Sequence, residues 1–336
     1  MPTGYRGRMV PDHYTLAGTD ISIPPLGVGT WAWGDRSTWG MGGYDTNLTR
    51  ESIQEAWNAS IDAGITLFDT AEVYGGGESE RIIGTMLAHD PQRAASVVLA
   101  TKFMPFPWKL RVRDALLKSL RASLDRLGLP AVQLYQIHGP ISVRSHGALA
   151  DALAAAHEAG LVKAVGVSNY SVSGTRSMVK ELRARDIQLA TNQIEFSLLR
   201  RSPETSGLLA TCAELGVLPI AYSPIGQGRL TGKYSESRPP PGKRNQSRHP
   251  MAIVDGVVAE LRRIGDKYGG KLPSQVALNW VIAKGAVPIP GAKNRQQAEE
   301  NAGAVGWTID DEDLARLDRV ALSGVRSLQG RIWQHG

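Results

Sequence analysis

The chain has 336 residues, a formal net charge of +6, 42% hydrophobic and 21% charged residues, and a mean hydropathy of -0.20. These proportions belong to a globular protein with a large core and exclude a disordered tail, a collagen or a disulfide miniprotein. The pI of about 9.4 raises nucleic acid as a ligand, but most Lys and Arg residues alternate with Glu and Asp in runs such as RVRDALLKSLRASLDRLG. That pattern predicts solvated helix faces and no nucleic-acid partner.

The single cysteine, Cys212, cannot form an internal disulfide, and no CxxC pair exists to hold zinc, so a reducing compartment and no metal are expected. The opening MPTGYRGRMVPDHYTLAG has no apolar run behind its arginines. No uncharged stretch approaches the roughly 18 residues of a membrane span. The expectation is a cytoplasmic protein without a membrane partner.

About 20 residues that could form a small hairpin come first. Short apolar runs then alternate with amphipathic runs of helical length. The predicted strands are Leu26–Thr30, Ile65–Asp69, Val97–Lys102, Val132–His138, Ala164–Ser168, Leu189–Gln193, Leu218–Tyr222 and Val287–Pro290. Between the third and fourth, Val112, Leu116, Leu120, Leu124 and Leu127 form one helical stripe, with Gly128 as its stop. A long Gly- and Pro-rich connection runs from about Ser223 to Gly256 and contains the basic cluster Lys243–His249, read as a surface loop. Helices are predicted near Ser274–Lys284, from Asn294, and at Asp310–Leu322 with its acidic DDED start.

Eight strands separated by helices predict a closed (β/α)8 TIM barrel of the α/β class. An N-terminal hairpin, a long loop after strand seven and an extra C-terminal helix complete it. A single domain spans 1–336, with 1–20 and 324–336 peripheral. An open doubly wound sheet is disfavoured because no GxGxxG turn follows the first strand, GVGTWAWG having the wrong spacing.

In such a barrel the chemistry belongs to residues at the C-terminal strand ends. The second strand ends in FDTAEVYG, placing Asp69 last and Tyr74 in the following loop; the third ends in ATKF with Lys102, and the fourth in LYQIH with His138. A strand-end Asp alone often caps a helix, a Tyr alone packs, and a His alone satisfies a buried hydrogen bond. Together they converge on one rim, where a buried lysine needs a carboxylate and Asp69 is the adjacent one.

From LGVGTW to AEENAGA the chain resembles the aldo-keto reductases. The resemblance implies a barrel that binds a nicotinamide cofactor without a Rossmann domain. It also implies an Asp, Tyr, Lys and His tetrad, here Asp69, Tyr74, Lys102 and His138. Tyr74 would donate the proton to a carbonyl oxygen as hydride arrives. A free tyrosine titrates near 10, and a neighbouring Lys102 ammonium favours its phenolate. Asp69 would orient Lys102, and His138 would hydrogen-bond the substrate carbonyl.

The same resemblance places the cofactor. Gly29, Thr30, Trp31 and Asp69 would line it at the first strands. Ser168 and Asn169 of GVSNY, with Gln193 of TNQIEFS, would bind the carboxamide, and Tyr222 would stack on the ring. Ser223, Ile225, Gln227, Leu230 and Lys233 would wrap the diphosphate through backbone NH groups. Gly291, Ala292 and Lys293 of PIPGAKN would meet the adenosine phosphate, and Gln297, Glu300 and Asn301 the adenine end. Many members carry an arginine where Gln297 stands. Lys293, with Arg295 as a substitute, is therefore expected to favour NADPH over NADH.

Trp33 and Trp108 are expected in the substrate pocket, with Trp31, Trp39 and Phe106 nearby in an aromatic mouth. No arginine cluster marks an anionic substrate, so an uncharged aldehyde or ketone is expected, a pyridoxal-like or sugar carbonyl included. Gly139 and a short connection follow His138 where many relatives have a bulky residue and a longer acidic loop, which predicts a more open pocket. His146 and His157 are expected at surface or capping positions. Two other readings keep the fold: an accessory subunit resembling the β-subunits of voltage-gated potassium channels, and a tailoring reductase for one metabolite. Turnover separates the first from an enzyme. The oligomeric state and the course of the C-terminal SLQGRIWQHG are not read from the sequence.

Overall fold

A computed structural model describes residues 11–34, 48–240 and 249–324. Trp39, most of the Lys243–His249 cluster and the C-terminal SLQGRIWQHG, with Trp333 and His335, lie outside the described residues.

Eight parallel strands form one sheet in sequence order. They are β1 (Gly27–Gly29), β2 (Leu67–Asp69), β3 (Val98–Phe103), β4 (Val132–Ile137), β5 (Val162–Ser168), β6 (Leu189–Glu195), β7 (Leu218–Tyr222) and β8 (Val287–Pro288). A parallel bridge between Gly29 and Gly291, with the Gly29 amide donating to the Pro290 carbonyl at 3.0 Å, joins the first strand to the last. The result is the expected (β/α)8 barrel.

Among the described residues the α-helices of eight residues or more are α1 (Arg50–Asp62), α2 (Glu78–His89), α3 (Val112–Leu127), α4 (His146–Glu158), α5 (Val172–Arg183), α6 (Leu208–Leu215), α7 (Met251–Lys267), α8 (Pro273–Ala283), α9 (Arg295–Ala302) and α10 (Asp311–Val320). The predicted stripe of α3 is buried, and Gly128 closes the helix at φ 66°. Helix α7 starts inside the predicted long connection. Pro250 stands at its N-cap, and Met251, Val254, Val257, Val258, Leu261 and Ile264 bury one face. The connection from β7 is correspondingly shorter and includes a 3-10 turn at Gly226–Thr231.

The hairpin pairs Tyr14–Thr15 with Ser22–Ile23. Its Leu16 and Ile23 join Leu67, Val98, Leu134 and Ile220 in an apolar cluster inside the barrel. Strand side chains alternate with period two, so the inward phase that carries this cluster continues into a polar level nearer the C-terminal ends. Sheet register aligns Lys102, Gln136, Gly166 and Thr191 across β3 to β6. Among the described residues no helix is long and apolar enough to cross a membrane.

Candidate active site

The tetrad residues come together at the C-terminal ends of β2, β3 and β4. Asp69 and Lys102 are buried and form an ion pair. Lys102 Nζ also donates to the Thr70 carbonyl at 2.8 Å and reaches the Tyr74 hydroxyl at 3.3 Å. An ammonium has three donors, and these three acceptors use them. The Tyr74 and His138 rings meet edge to face, with centroids 5.6 Å apart.

Tyr74 is held by the backbone of its own loop. Gly75 and Gly76 that follow it have φ of 59° and 64°, a region that suits glycine. A Cβ at Gly75 would collide with the Gly34 carbonyl. The run of glycines after the tyrosine is thus required both by conformation and by the close approach of the β1 loop.

Burial is the largest influence on the charges here. It raises the Tyr74 hydroxyl; the Lys102 ammonium opposes and Asp69 reinforces that rise, leaving Tyr74 above the ordinary tyrosine value. The expected pull of Lys102 toward phenolate is present but outweighed. Burial alone would lower Lys102, but Asp69 and Tyr74 hold it above its usual range. Burial, then Lys102, pushes His138 well below the usual imidazole value. The site at neutral pH therefore presents a protonated tyrosine, an ammonium and a neutral imidazole. His138 Nδ1 is buried without a hydrogen-bond partner among the described residues.

Sequence reasoning missed the layer that holds Asp69. Its Oδ2 accepts from Gln193 Nε2 at 2.8 Å and from Gln136 Nε2 at 3.3 Å, and Gln136 Oε1 accepts from Thr191 Oγ1 at 3.1 Å. Gln136 and Thr191 read as ordinary strand residues in the sequence, and a register shift opposite Val165 and Gly166 breaks the inward period on β6. Gln193, expected on a carboxamide, gives an amide donor to Asp69.

Ser168, Asn169 and Tyr222 form a chain at the ends of β5 and β7. The Ser168 hydroxyl donates to the Gln193 carbonyl at 2.9 Å, Asn169 Nδ2 donates to Ser168 Oγ at 3.0 Å, and the Tyr222 hydroxyl donates to Asn169 Oδ1 at 2.9 Å. Asn169, Ser223 and Gln227 have positive φ, as does one other non-glycine among the described residues, Asp186. Such strain outside glycine persists where surrounding structure imposes it, often at ligand sites.

Lys233 and Glu300 pair at 3.6 Å, drawing the turn after β7 to helix α9. The Lys293 amide donates to Gln297 Oε1 at 3.1 Å, and Asn301 Nδ2 donates to the Gly291 carbonyl at 3.3 Å. Ile225 packs partly buried against the core. Leu230 is buried and its amide donates to the Ile225 carbonyl, so it anchors the turn and offers no free NH. Thr30 is likewise buried, its hydroxyl shared by the Asp69 carbonyl and Ser79.

The pocket expectation for Trp33 is corrected. Its side chain is fully buried, packs toward Phe68, and donates from Nε1 to the Ala292 carbonyl at 2.7 Å. An indole with a buried hydrogen-bond partner is a core strut between the β1 and β8 loops. Trp31 is partly exposed. Trp108 is 72% exposed and stacks on Phe106.

The sequence model of the Aldo/keto reductase family matches residues 25–322. The chain belongs to the aldo-keto reductases. It is an oxidoreductase of that family. It is 38% identical over 330 residues to a pyridoxal reductase, chloroplastic, of Arabidopsis thaliana, covering 94% of this chain and 87% of that protein. Among solved structures, a glycerol dehydrogenase from Gluconobacter oxydans superposes with a TM-score of 0.78 at 27% identity, covering 94% of this chain and 98% of that one. An aldo/keto reductase from Klebsiella pneumoniae in complex with NADP and acetate gives 0.71 at 25% identity, covering 91% and 94%.

Proposed function

We propose that this aldo-keto reductase uses NADPH to reduce an uncharged aldehyde or ketone to an alcohol, with Tyr74 as proton donor. The observation that carries the reading is the continuous contact from Asp69 through Lys102 to the Tyr74 hydroxyl, with His138 at the edge of the tyrosine ring.

The chain's polar groups fit the cofactor. Ser168 and Asn169 would hold its carboxamide and Tyr222 would stack on its ring, the turn containing Ser223, Gln227 and Lys233 would hold its diphosphate, and Gly291, Lys293, Gln297 and Glu300 its adenosine end. The strained φ of Asn169, Ser223 and Gln227 and the cations Lys233 and Lys293 support that fit. The neighbour crystallised with NADP supports the cofactor class. When bound, NADPH supplies a hydride to the carbonyl carbon.

The chain's own residues supply the rest. Tyr74 is protonated at neutral pH and can pass its hydroxyl proton to the carbonyl oxygen as negative charge develops there. Lys102 stabilises the phenolate left behind, and Asp69 keeps Lys102 in place. His138 is neutral, and an imidazole N–H can donate to the same oxygen without competing as an acid. The pyridoxal reductase relative makes pyridoxal the first aldehyde to test.

The experiment measures NADPH binding by tryptophan quenching and NADPH oxidation with aromatic, aliphatic and sugar aldehydes, for wild type and Tyr74→Phe. Binding by both with turnover only by wild type is expected. Turnover by the variant would remove Tyr74 as donor, and tight binding without turnover in wild type would favour an accessory-subunit role.

A further inference from the structure

The loop that carries Tyr74 and the loop that follows β3 are fastened by one carboxylate, that of Glu72. Glu72 Oε1 accepts from the Met104 amide at 2.7 Å and pairs with Lys109 Nζ at 3.4 Å. The Glu72 amide donates to the Lys102 carbonyl at 3.4 Å, which extends the β2–β3 pairing beyond the end of β2. Side-chain exposure of the pair is 21% for Lys109 and 13% for Glu72, so the two charges are less screened than an open surface pair.

Lys109 in turn holds aromatic rings. Its Nζ lies 4.3 Å from the Phe103 ring centre and 5.5 Å from that of Phe106, within range of cation–π attraction. Phe106 stacks on Trp108 with centroids 4.5 Å apart and planes 8° from parallel. An indole this exposed on a loop would normally sample several rotamers. Here it belongs to a chain of contacts that ends on Glu72, two residues before Tyr74.

We propose that Glu72 is a positioning residue for substrate selection: through Lys109 it fixes the Phe106–Trp108 stack as a flat apolar platform beside the Tyr74 loop, favouring aldehydes that carry an aromatic ring. This rests on the carbonyl-reductase reading and adds to it a residue that acts through others. Without its counter-charge, Lys109 would extend toward water and release the rings. Glu72→Gln keeps an oxygen for the Met104 amide and removes only the charge. Lys109→Met keeps the apolar stem and removes only the ammonium.

The test compares wild type, E72Q, K109M and the double variant with pyridoxal and with propanal, and records 19F spectra of 5-fluorotryptophan-labelled protein. The Trp108 resonance is assigned by Trp108→Phe. Each single variant should raise KM for pyridoxal about fivefold, the scale of a partly covered ion pair, with kcat and the propanal KM retained. The double variant should be no worse than either single one. The Trp108 resonance should move in both, and those of the buried Trp33, Trp57 and Trp280 should not.

An unmoved Trp108 resonance overturns the proposal. So does a moved resonance with both aldehydes affected equally or neither affected, which would leave Glu72 a fastener of loops only. If wild type oxidises NADPH with no aldehyde, the reductase reading falls by itself. Pyridoxal titrated into the labelled proteins then decides the latch, since it should perturb Trp108 less in E72Q than in wild type, and an equal perturbation overturns it.

Discussion

Lys102 Nζ lies 3.3 Å from the Tyr74 hydroxyl while it is also bonded to Asp69 and to the Thr70 carbonyl. The ammonium is thus fixed in position by the chain's own groups. Lys102→Met should therefore lower kcat/KM for reduction by about 100-fold or more, within the usual range for disabling a proton transfer, while NADPH binding is retained. Because the lysine pulls the tyrosine down, its loss should also move the alkaline limb of the pH profile upward. A variant with wild-type turnover would remove Lys102 from the mechanism.

The directions of the titration shifts set a pH profile. Reduction needs protonated Tyr74, whose value lies above the ordinary tyrosine range, so its rate should hold through neutrality and fall only above about pH 10. Alcohol oxidation needs the deprotonated form and should rise with pH. His138 is pushed well below 6.5, so it should produce no limb near that pH. Its effect on stability has the opposite reach: the unfolded chain protonates this imidazole below about 6.5 while the folded one does not, so stability should decline as pH falls from there. Urea titrations at pH 7.5 and 5.5 on wild type and His138→Asn check this, and an equal loss in both would assign the decline to other groups.

Much of this was legible from periodicity alone. The eight apolar runs became the eight strands, and the α3 stripe and Gly128 stop were found where spacing put them. Strand-end positions brought Asp69, Lys102, Tyr74 and His138 together, because in a parallel barrel those ends share one rim. Trp33 was misplaced because an aromatic after a strand can turn inward or outward, and only the Ala292 carbonyl, brought beside it where β8 meets β1, decides. The sign of the Tyr74 shift was missed for a similar reason. A sequence shows that a cation is near, but not how much protein surrounds the hydroxyl. Gln136 and Thr191 were hidden as ordinary strand residues; their role appears only once β4 and β6 are in register with β5.

Lys293 precedes helix α9, whose N-cap is Asn294, and its amide is held by Gln297. With glutamine at 297, 2′-phosphate selectivity should depend on the Lys293 ammonium. Lys293→Ala should reduce the ratio of NADPH to NADH affinity by about tenfold, the effect of losing roughly 1.4 kcal/mol, mainly by weakening NADPH. Titration of both cofactors checks it. An unchanged ratio would pass the role to Arg295.

Cys212 is fully buried on α6, and burial pushes its thiol up to about 12. A thiolate is the reactive form, so the native protein should not react with Ellman's reagent at pH 8 on the timescale of minutes. In denaturant one thiol per chain should react. Stoichiometric reaction in native buffer would show that α6 opens readily.

Gly166 sits on β5 between Gln136 and Thr191 at the level of Lys102. A Cβ there would collide with Thr191 Oγ1 and lie 2.9 Å from Gln136 Cγ. Gly166→Ala should therefore cost about 1–3 kcal/mol by overpacking, displace the side chains that support Asp69, and lower turnover. Gly166→Ala/Thr191→Ala should regain part of the stability, because the colliding hydroxyl is gone. It should not regain full turnover, because Gln136 has lost the bond that orients it toward Asp69. Thr191→Val in the same background should rescue neither, since a methyl group takes the place of the hydroxyl. Melting temperatures and kcat for the series distinguish these outcomes, and a Gly166→Ala protein as stable as wild type would show that this level of the barrel is looser than its contacts imply.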